Sequence, residues 1–254
     1  VMKMLTDERY RFILNYLEEH NTITIHEIGR SIGSSESTIR RDLQTLEDRG
    51  LLIRVHGGAK KKQPLSYEPS MIEKKERYQQ EKKAIAQFAA SLVQPNDIIY
   101  LDAGSTTLEM IPLLPKEYSL TVVTNSINHA IQLLEEQIPT IILGGTLKAQ
   151  TNAILGSSAV QQLQQFYFDK AFLGTNGIDE KAGFTTPDPE EAFLKKTAAN
   201  QSQKSYILAD HSKFKERSFA QIFPLKTGEI ITDYCPKEEL TKLKKITKVT
   251  EVAK

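Results

Sequence analysis

The stretch SESTIRRDLQTLEDRGLLIRVHGGA, residues 35–59, decides the fold at the start of the chain. Ser35 is a good N-cap, since its hydroxyl accepts from a backbone N–H that the first helical turn leaves without a partner. Ile39, Leu43 and Leu46 then recur at helical spacing, and Gly50 stands where a helix ends in the left-handed conformation. Leu51-Leu-Ile-Arg-Val55 reads as an apolar strand and His56-Gly57-Gly58 as a hairpin-like turn. The preceding residues complete the pattern. Tyr10, Ile13, Leu14 and Leu17 mark an amphipathic helix over about 6–19. Thr24-Ile-His-Glu27 has the form of a capping box and opens a second helix carrying Ile25, Ile28 and Ile32. Gly33-Ser34-Ser35 is the turn into the third. Three helices and a strand pair predict a winged helix-turn-helix over 1–59.

Composition sets the wider bounds. The chain has 254 residues, 39% hydrophobic and 26% charged, which excludes a disordered or fibrous protein. Its single cysteine, Cys235, forms no internal disulfide, and no Cys/His cluster has zinc spacing. No apolar run reaches membrane-spanning length and no signal peptide opens the sequence, so a soluble, cytoplasmic protein is expected. Val1 before Met2 reads as a start-site detail. Lys+Arg 33 against Asp+Glu 32 gives a net charge of +1, too little for a global claim on an anionic partner. The distribution says more: eight basic residues against four acidic from Arg30 to Lys62 leave a local excess of positive charge.

Within that stretch the third helix is the candidate for reading DNA. A recognition helix lies in the major groove with its N-terminal residues at the base edges. Ser35, Ser37, Thr38, Arg40 and Arg41 occupy those positions. Arg binds guanine O6/N7 or a phosphate, and Ser and Thr suit phosphate oxygens. Arg54, His56 and the backbone of Gly57 would set a wing against the duplex backbone. Double-stranded DNA is the expected partner. The bland reading, a solvated helix with ordinary charges, does not account for the agreement of cap, apolar faces and basic wing.

The segment 60–76 (KKKQPLSYEPSMIEKKE) is charged, holds two prolines and lacks an apolar period; it reads as a linker. A helix is expected from Arg77 to Val93. Beyond it, IIYLD (98–102), LTVVT (120–124), TIILG (140–144), AFLG (171–174), SYILAD (205–210) and IITD (230–233) alternate with helix-length stretches. Alternation of this kind predicts a largely parallel sheet with helices on both faces, here over 77–254. Ligands of such sheets bind beyond the carboxyl ends of the strands. Those ends carry Asp102, Gly104, Ser105, Thr106 and Thr107; Thr124 and Asn125; Gly144 and Gly145; Gly174, Asn176, Gly177 and Asp179; and Asp210 and Lys213. Ser105, Thr106 and Thr107 sit where a helix begins, with free N–H groups and hydroxyls suited to a phosphate. Asp102, Asn125, Asp179 and Asp210 are expected to accept from sugar hydroxyls, and Lys213 to add a cation. Gly183 is a turn glycine, and neither an ATP P-loop nor G-x-G-x-x-G is present. His20, His26, His56 and His129 read as surface or structural residues rather than metal ligands, and His211 as lacking a partner. No metal and no cofactor are expected.

Ser35-x-x-Thr-Ile-Arg-Arg-Asp-Leu43, Leu46-Glu47, Gly50 and Arg54-Val-His-Gly-Gly-Ala59 resemble the DNA-binding head of the DeoR family of bacterial transcriptional regulators. The resemblance extends over nearly the whole chain, with Ser34 and Gly29 as small departures. It implies a Rossmann-like sensor domain resembling ribose-5-phosphate isomerase and glucosamine-6-phosphate deaminase, which binds a phosphorylated sugar. Tyr100-Leu-Asp-Ala-Gly-Ser-Thr-Thr-Leu-Glu-Met-Ile111 and Gly183-Phe-Thr-Thr-Pro-Asp-Pro-Glu-Glu-Ala192 are similar to bacterial fructose-operon repressors, implying fructose 1-phosphate as effector. The expected function is a sugar-phosphate-responsive repressor that binds its operator as a dimer or higher oligomer, with no catalysis. The alternative is an isomerase-like enzyme with an attached DNA-binding head, for which Asp102, Asp179, Glu191, Asp210 and His211 offer general bases. Against it, no acid/base pair with enforced spacing emerges.

Overall fold

A computed structural model describes residues 4–252, and the start-site reading of Val1 and Met2 falls outside the described residues. The chain divides into two compact units after Pro64.

In the N-terminal unit, α1 (Thr6–His20), β1 (Thr22–Thr24), α2 (Ile25–Ile32), α3 (Glu36–Asp48), β2 (Leu52–Val55) and β3 (Gly58–Lys61) follow in order. The caps form as their residues dictate. Thr24 and Glu27 close a reciprocal box, Glu27 Oε2 accepting the Thr24 N–H at 2.7 Å. After α3, Gly50 N–H donates to Glu47 O and Leu51 N–H to Leu46 O, the paired bonds of a Schellman ending. Ile13, Leu17, Ile28, Ile39, Leu43, Leu46 and Leu52 are buried together as the core. Two features lie beyond the local pattern. The strand pair is a three-stranded antiparallel sheet, order β1-β3-β2, because β3 also pairs with Thr22–Thr24. Arg9 reaches from α1 to make a two-pronged, buried contact with Asp42 of α3, at 2.6 and 2.9 Å. At the wing, Gly57 adopts φ +81° and faces open space, whereas a Cβ on Gly58 would lie 2.1 Å from Ile23 O.

The C-terminal unit begins inside the stretch read as a linker. Within 60–76, β3 runs on to Lys61, and α4 (Met71–Glu76) forms on a Ser70/Glu73 capping box. Then come α5 (Gln79–Ser91), β4 (Ile98–Leu101), α6 (Ser105–Leu108), β5 (Thr121–Thr124), α7 (Ile127–Glu135), β6 (Thr140–Ile142), β7 (Thr146–Lys148), β8 (Ala153–Leu155), α8 (Ser157–Leu163) and β9 (Phe168–Gly174). The unit closes with β10 (Gly177–Asp179), β11 (Gly183–Thr186), α9 (Pro189–Asn200), β12 (Ser202–Leu208), β13 (Ala220–Phe223), β14 (Glu229–Thr232), α10 (Lys237–Leu243) and β15 (Val249–Glu251).

Seven of these strands make one parallel sheet, order β15-β14-β12-β9-β4-β5-β6. All six expected strands belong to it. Alternate residues feed two apolar layers: Ile99 and Leu101 of β4 face one, Tyr100 the other. The antiparallel sheet β10-β11-β13, the β7-β8 hairpin and β15 are additions to the expected set. Strand order reverses between β4 and β9, so the carboxyl ends of these two neighbours flank the switch point where α/β sheets bind ligands.

Candidate functional site

At the leading end of α3 the residues expected to meet DNA are on the surface. Ser35, Ser37, Arg40 and Arg41 are exposed and Thr38 is half-buried. Ser35 is engaged as the cap, its Oγ accepting the Thr38 N–H at 3.4 Å. Arg40 lies 3.4 Å from Glu36, while the Arg41 guanidinium has no partner among the described residues. Arg54 has a different setting from the free wing cation expected. Its N–H donates to Glu47 at 2.8 Å and its guanidinium to Gln44, so it braces β2 against α3. His56 and Gly57 are exposed at the wing tip.

In the C-terminal unit the switch point holds a buried polar network. Asp102, only 2% exposed, follows β4 and accepts the Gly174 N–H at 3.0 Å from the end of β9. Its other partner is Lys195 of α9, 5% exposed and 93 residues away in sequence. One turn earlier on α9, Glu191 accepts from Lys148 at 3.1 Å and from Thr151 at 3.1 Å. Lys148 also donates to Asp188 at 2.8 Å. Burial acts to lower the Lys148 pKa, but these carboxylates outweigh it and hold the ammonium above its usual range. Asn176 donates to Glu68 at 3.2 Å and accepts from Thr186 at 3.1 Å. Glu68, Lys148 and Lys195 were not singled out by sequence; the spacing Glu191/Lys195 on one helical face was the one local signal.

Several strand-end residues expected to touch ligand are used by the fold itself. The Thr107 hydroxyl points inward, donating toward Asp102 O and Gly104 O and lying 3.0 Å from His129 Nε2. Asn125 clamps two loops, accepting the Ala103 N–H at 3.0 Å and donating to Ile154 O at 3.3 Å. Thr124 accepts the Ser126 N–H. Asp179 anchors the β10–β11 turn through the Lys181 and Ala182 N–H groups and Arg217; burial works to raise its pKa, yet these donors hold it below the usual carboxylate range. Gly144 and Gly145 follow the edge strand β6, the Gly144 N–H donating to Gln162, and Gly177 opens β10.

Ser105 and Thr106 are different. Both are almost fully buried at the start of α6, yet neither hydroxyl makes a hydrogen bond among the described residues. Helix α5 packs against α6 and carries Lys82, 5% exposed, which the sequence reading missed. Burial lowers the Lys82 pKa to about 8, with Asp210 working in the opposite direction. Asp210 caps the turn His211–Lys213 through Ser212, and Lys213 is half-buried beside it. His211 does have a partner, which corrects the expectation: its Nδ1 lies 2.7 Å from Asp233 Oδ2, contributed by the end of β14.

His129 is structural, as expected of it, but wholly buried. It sits between Thr107 and Ser126, and burial holds its pKa down to about 3. The ordinary value is about 6.5, so between these limits the unfolded chain binds a proton that the folded chain refuses. Stability therefore falls as pH drops through that window. Urea unfolding should show the C-terminal unit losing about 2 kcal/mol between pH 7.5 and 5.0 from this group. His129→Gln should remove that part of the slope; equal slopes in both proteins would assign it elsewhere.

Two sequence comparisons fit these geometries. The DeoR-like helix-turn-helix domain matches residues 9–64, and the DeoR C terminal sensor domain matches residues 77–234. The chain belongs to the DeoR family. Among its relatives, an uncharacterized HTH-type transcriptional regulator FruR from Bacillus subtilis is 48% identical over 94% of each chain. A lactose phosphotransferase system repressor from Staphylococcus epidermidis is 31% identical, over 96% of this DeoR-family chain and 98% of its own. Among solved structures, ribose 5-phosphate isomerase A from Methanocaldococcus jannaschii is 19% identical over 52% of this chain and 53% of its own, with a TM-score of 0.40. No helix among the described residues is long and apolar enough to cross a membrane, and no His/Cys/Asp/Glu group among them could hold a metal ion.

Proposed function

We propose that this DeoR-family protein represses a sugar-utilisation operon in the cytoplasm and leaves its operator when a phosphorylated sugar, fructose 1-phosphate, binds the C-terminal unit. The observation that carries the reading is one chain joining a helix-turn-helix domain to a DeoR sensor domain whose switch point holds two nearly buried residues, Ser105 and Thr106, with hydroxyls unpartnered among the described residues. In this reading 1–59 bind DNA, 60–76 link, and 77–254 sense. Ser37, Arg40 and Arg41 face the duplex, with His56 and Gly57 at the wing. Ser105 and Thr106 hold the phosphate, with Lys82 and Lys213 as cations, while Asn176 and Asp210 meet sugar hydroxyls. The protein is a regulator, not an enzyme. Two or four copies present paired heads to repeated half-sites. Release requires the effector to bind one arrangement of the protein more tightly than the other, since equal affinity shifts nothing.

Fluorescence anisotropy on DNA from the protein's own promoter, at fixed salt, tests this. One sugar phosphate from a panel should release the DNA, and Thr106→Val should need about tenfold more of it, the loss of one hydrogen bond to a charged group. Specific DNA binding unmoved by the whole panel would overturn the effector reading and keep the head.

A further inference from the structure

Glu68 lies three residues before the start of α4 and four after Pro64, where the chain divides, yet it is only 7% exposed. Its carboxylate is drawn into the switch-point network. Oε1 accepts from Lys74 of α4 and from Asn176 Nδ2 at 3.2 Å. Oε2 is buried without any hydrogen bond, 3.8 Å from Lys148. The backbone is held too: Glu68 O accepts from the Gln150 side chain, and the Met71 N–H donates to Gln150 O at 3.0 Å.

A buried carboxylate oxygen with no donor is costly to keep, and burial of this kind calls for a reason. Lys74, Lys148 and Asn176 converge as two ammonium groups and an amide N–H, the donor set that recognises an oxyanion. A carboxylate from the chain's own connecting segment fills that place, and fills it imperfectly. A phosphate, with three acceptor oxygens and more charge, can use donors that Glu68 leaves unused.

We propose that Lys74, Lys148 and Asn176 form an oxyanion subsite occupied by Glu68 in the absence of ligand, and that the phosphate group of a phosphorylated ligand competes with Glu68 for it. This rests on the reading of the switch point as a sugar-phosphate site and adds a second anion site, taken by inorganic phosphate or by a second phosphate group while the sugar phosphate's own sits on Ser105 and Thr106. Displacing Glu68 frees residues 65–70, which lead directly to Pro64, so occupancy of the site is passed to the connecting segment by exchange of one anion for another. Apparent affinity scales inversely with the fraction of protein whose site is open. A carboxylate holding the subsite about nine-tenths of the time therefore weakens an entering anion roughly tenfold.

The test uses the full chain, with fructose 1-phosphate and inorganic phosphate as probes and chloride at matched ionic strength as control. Backbone hydrogen exchange is followed at Met71, whose N–H is tied to Gln150. Phosphate, but not chloride, should speed that exchange, and E68Q should show the faster exchange with no ligand present. E68Q should also bind inorganic phosphate roughly tenfold more tightly by calorimetry. Unchanged Met71 exchange in the wild type under saturating phosphate, or weaker binding by E68Q, overturns the proposal. If fructose 1-phosphate fails to bind or to release DNA while phosphate still frees Met71, the effector reading fails and the subsite stands. If fructose 1-phosphate binds and releases DNA while Met71 is unmoved by inorganic phosphate, the subsite fails alone.

Discussion

Lys195→Met is expected to destabilise the C-terminal unit by about 3–5 kcal/mol, the cost of leaving one charge of a buried ion pair without its partner. Asp102 is 2% exposed, so water cannot replace the lost ammonium. The backbone N–H of Gly174, at 3.0 Å, would then be the one donor left to its carboxylate among the described residues. The same carboxylate joins the ends of β4 and β9, so the strain falls on the switch point itself. Adding Asp102→Asn to Lys195→Met should recover much of the loss, because the pair is then removed rather than broken. Urea unfolding of the three variants checks both statements. A loss below about 1 kcal/mol for the single variant would mean that the ion pair contributes little.

Arg41→Ala is expected to weaken operator binding by about 1–3 kcal/mol, roughly 5- to 150-fold, while sugar-phosphate affinity stays at the wild-type value. Arg41 is exposed at the leading end of α3 and its guanidinium is unpaired among the described residues, so its full set of donors can be turned to a guanine edge or a phosphate. The Arg54 guanidinium, held by Gln44, would have to give up that internal bond first, and its replacement should loosen the tie of β2 to α3. Salt titration separates the two ways Arg41 can act. A phosphate contact lowers the salt slope by about 1, and a base contact relaxes sequence preference at one position. Loss of effector binding as well would mean that the two units do not work separately.

The head was legible because its determinants are local. The Thr24/Glu27 box, the Ser35 cap and the Gly50 ending each span a few residues, and the apolar faces repeat within a single helix. What it hid is the Arg9–Asp42 contact, two charges 33 residues apart that no helical period connects. In the C-terminal unit, buried parallel strands announce themselves as apolar runs. The short strands β7, β10 and β15 do not, being three residues each, too short to show an apolar run.

The site divides in the same way. Sequence found the strand-end loops, since small and polar residues must follow each buried strand. It could not tell which polar groups the fold consumes. Thr107, Asn125 and Asp179 carry the right chemistry for a ligand and spend it on His129, Ile154 and Arg217. Nor could it find the cations, because Lys195 and Lys148 reach their carboxylates across 93 and 43 residues.

The two glycines of the wing divide the mutational freedom of that hairpin unequally. At Gly57 the obstacle is conformational only: the position looks onto open space, and Asn or Asp tolerates φ +81° at modest cost. At Gly58 the obstacle is volume, since any side chain would overlap the carbonyl of Ile23 in the neighbouring strand. The wing tip can therefore drift in sequence, and with it whatever the tip touches, while its root stays fixed to β1. The surface the tip presents can change without the sheet that carries it having to be rebuilt.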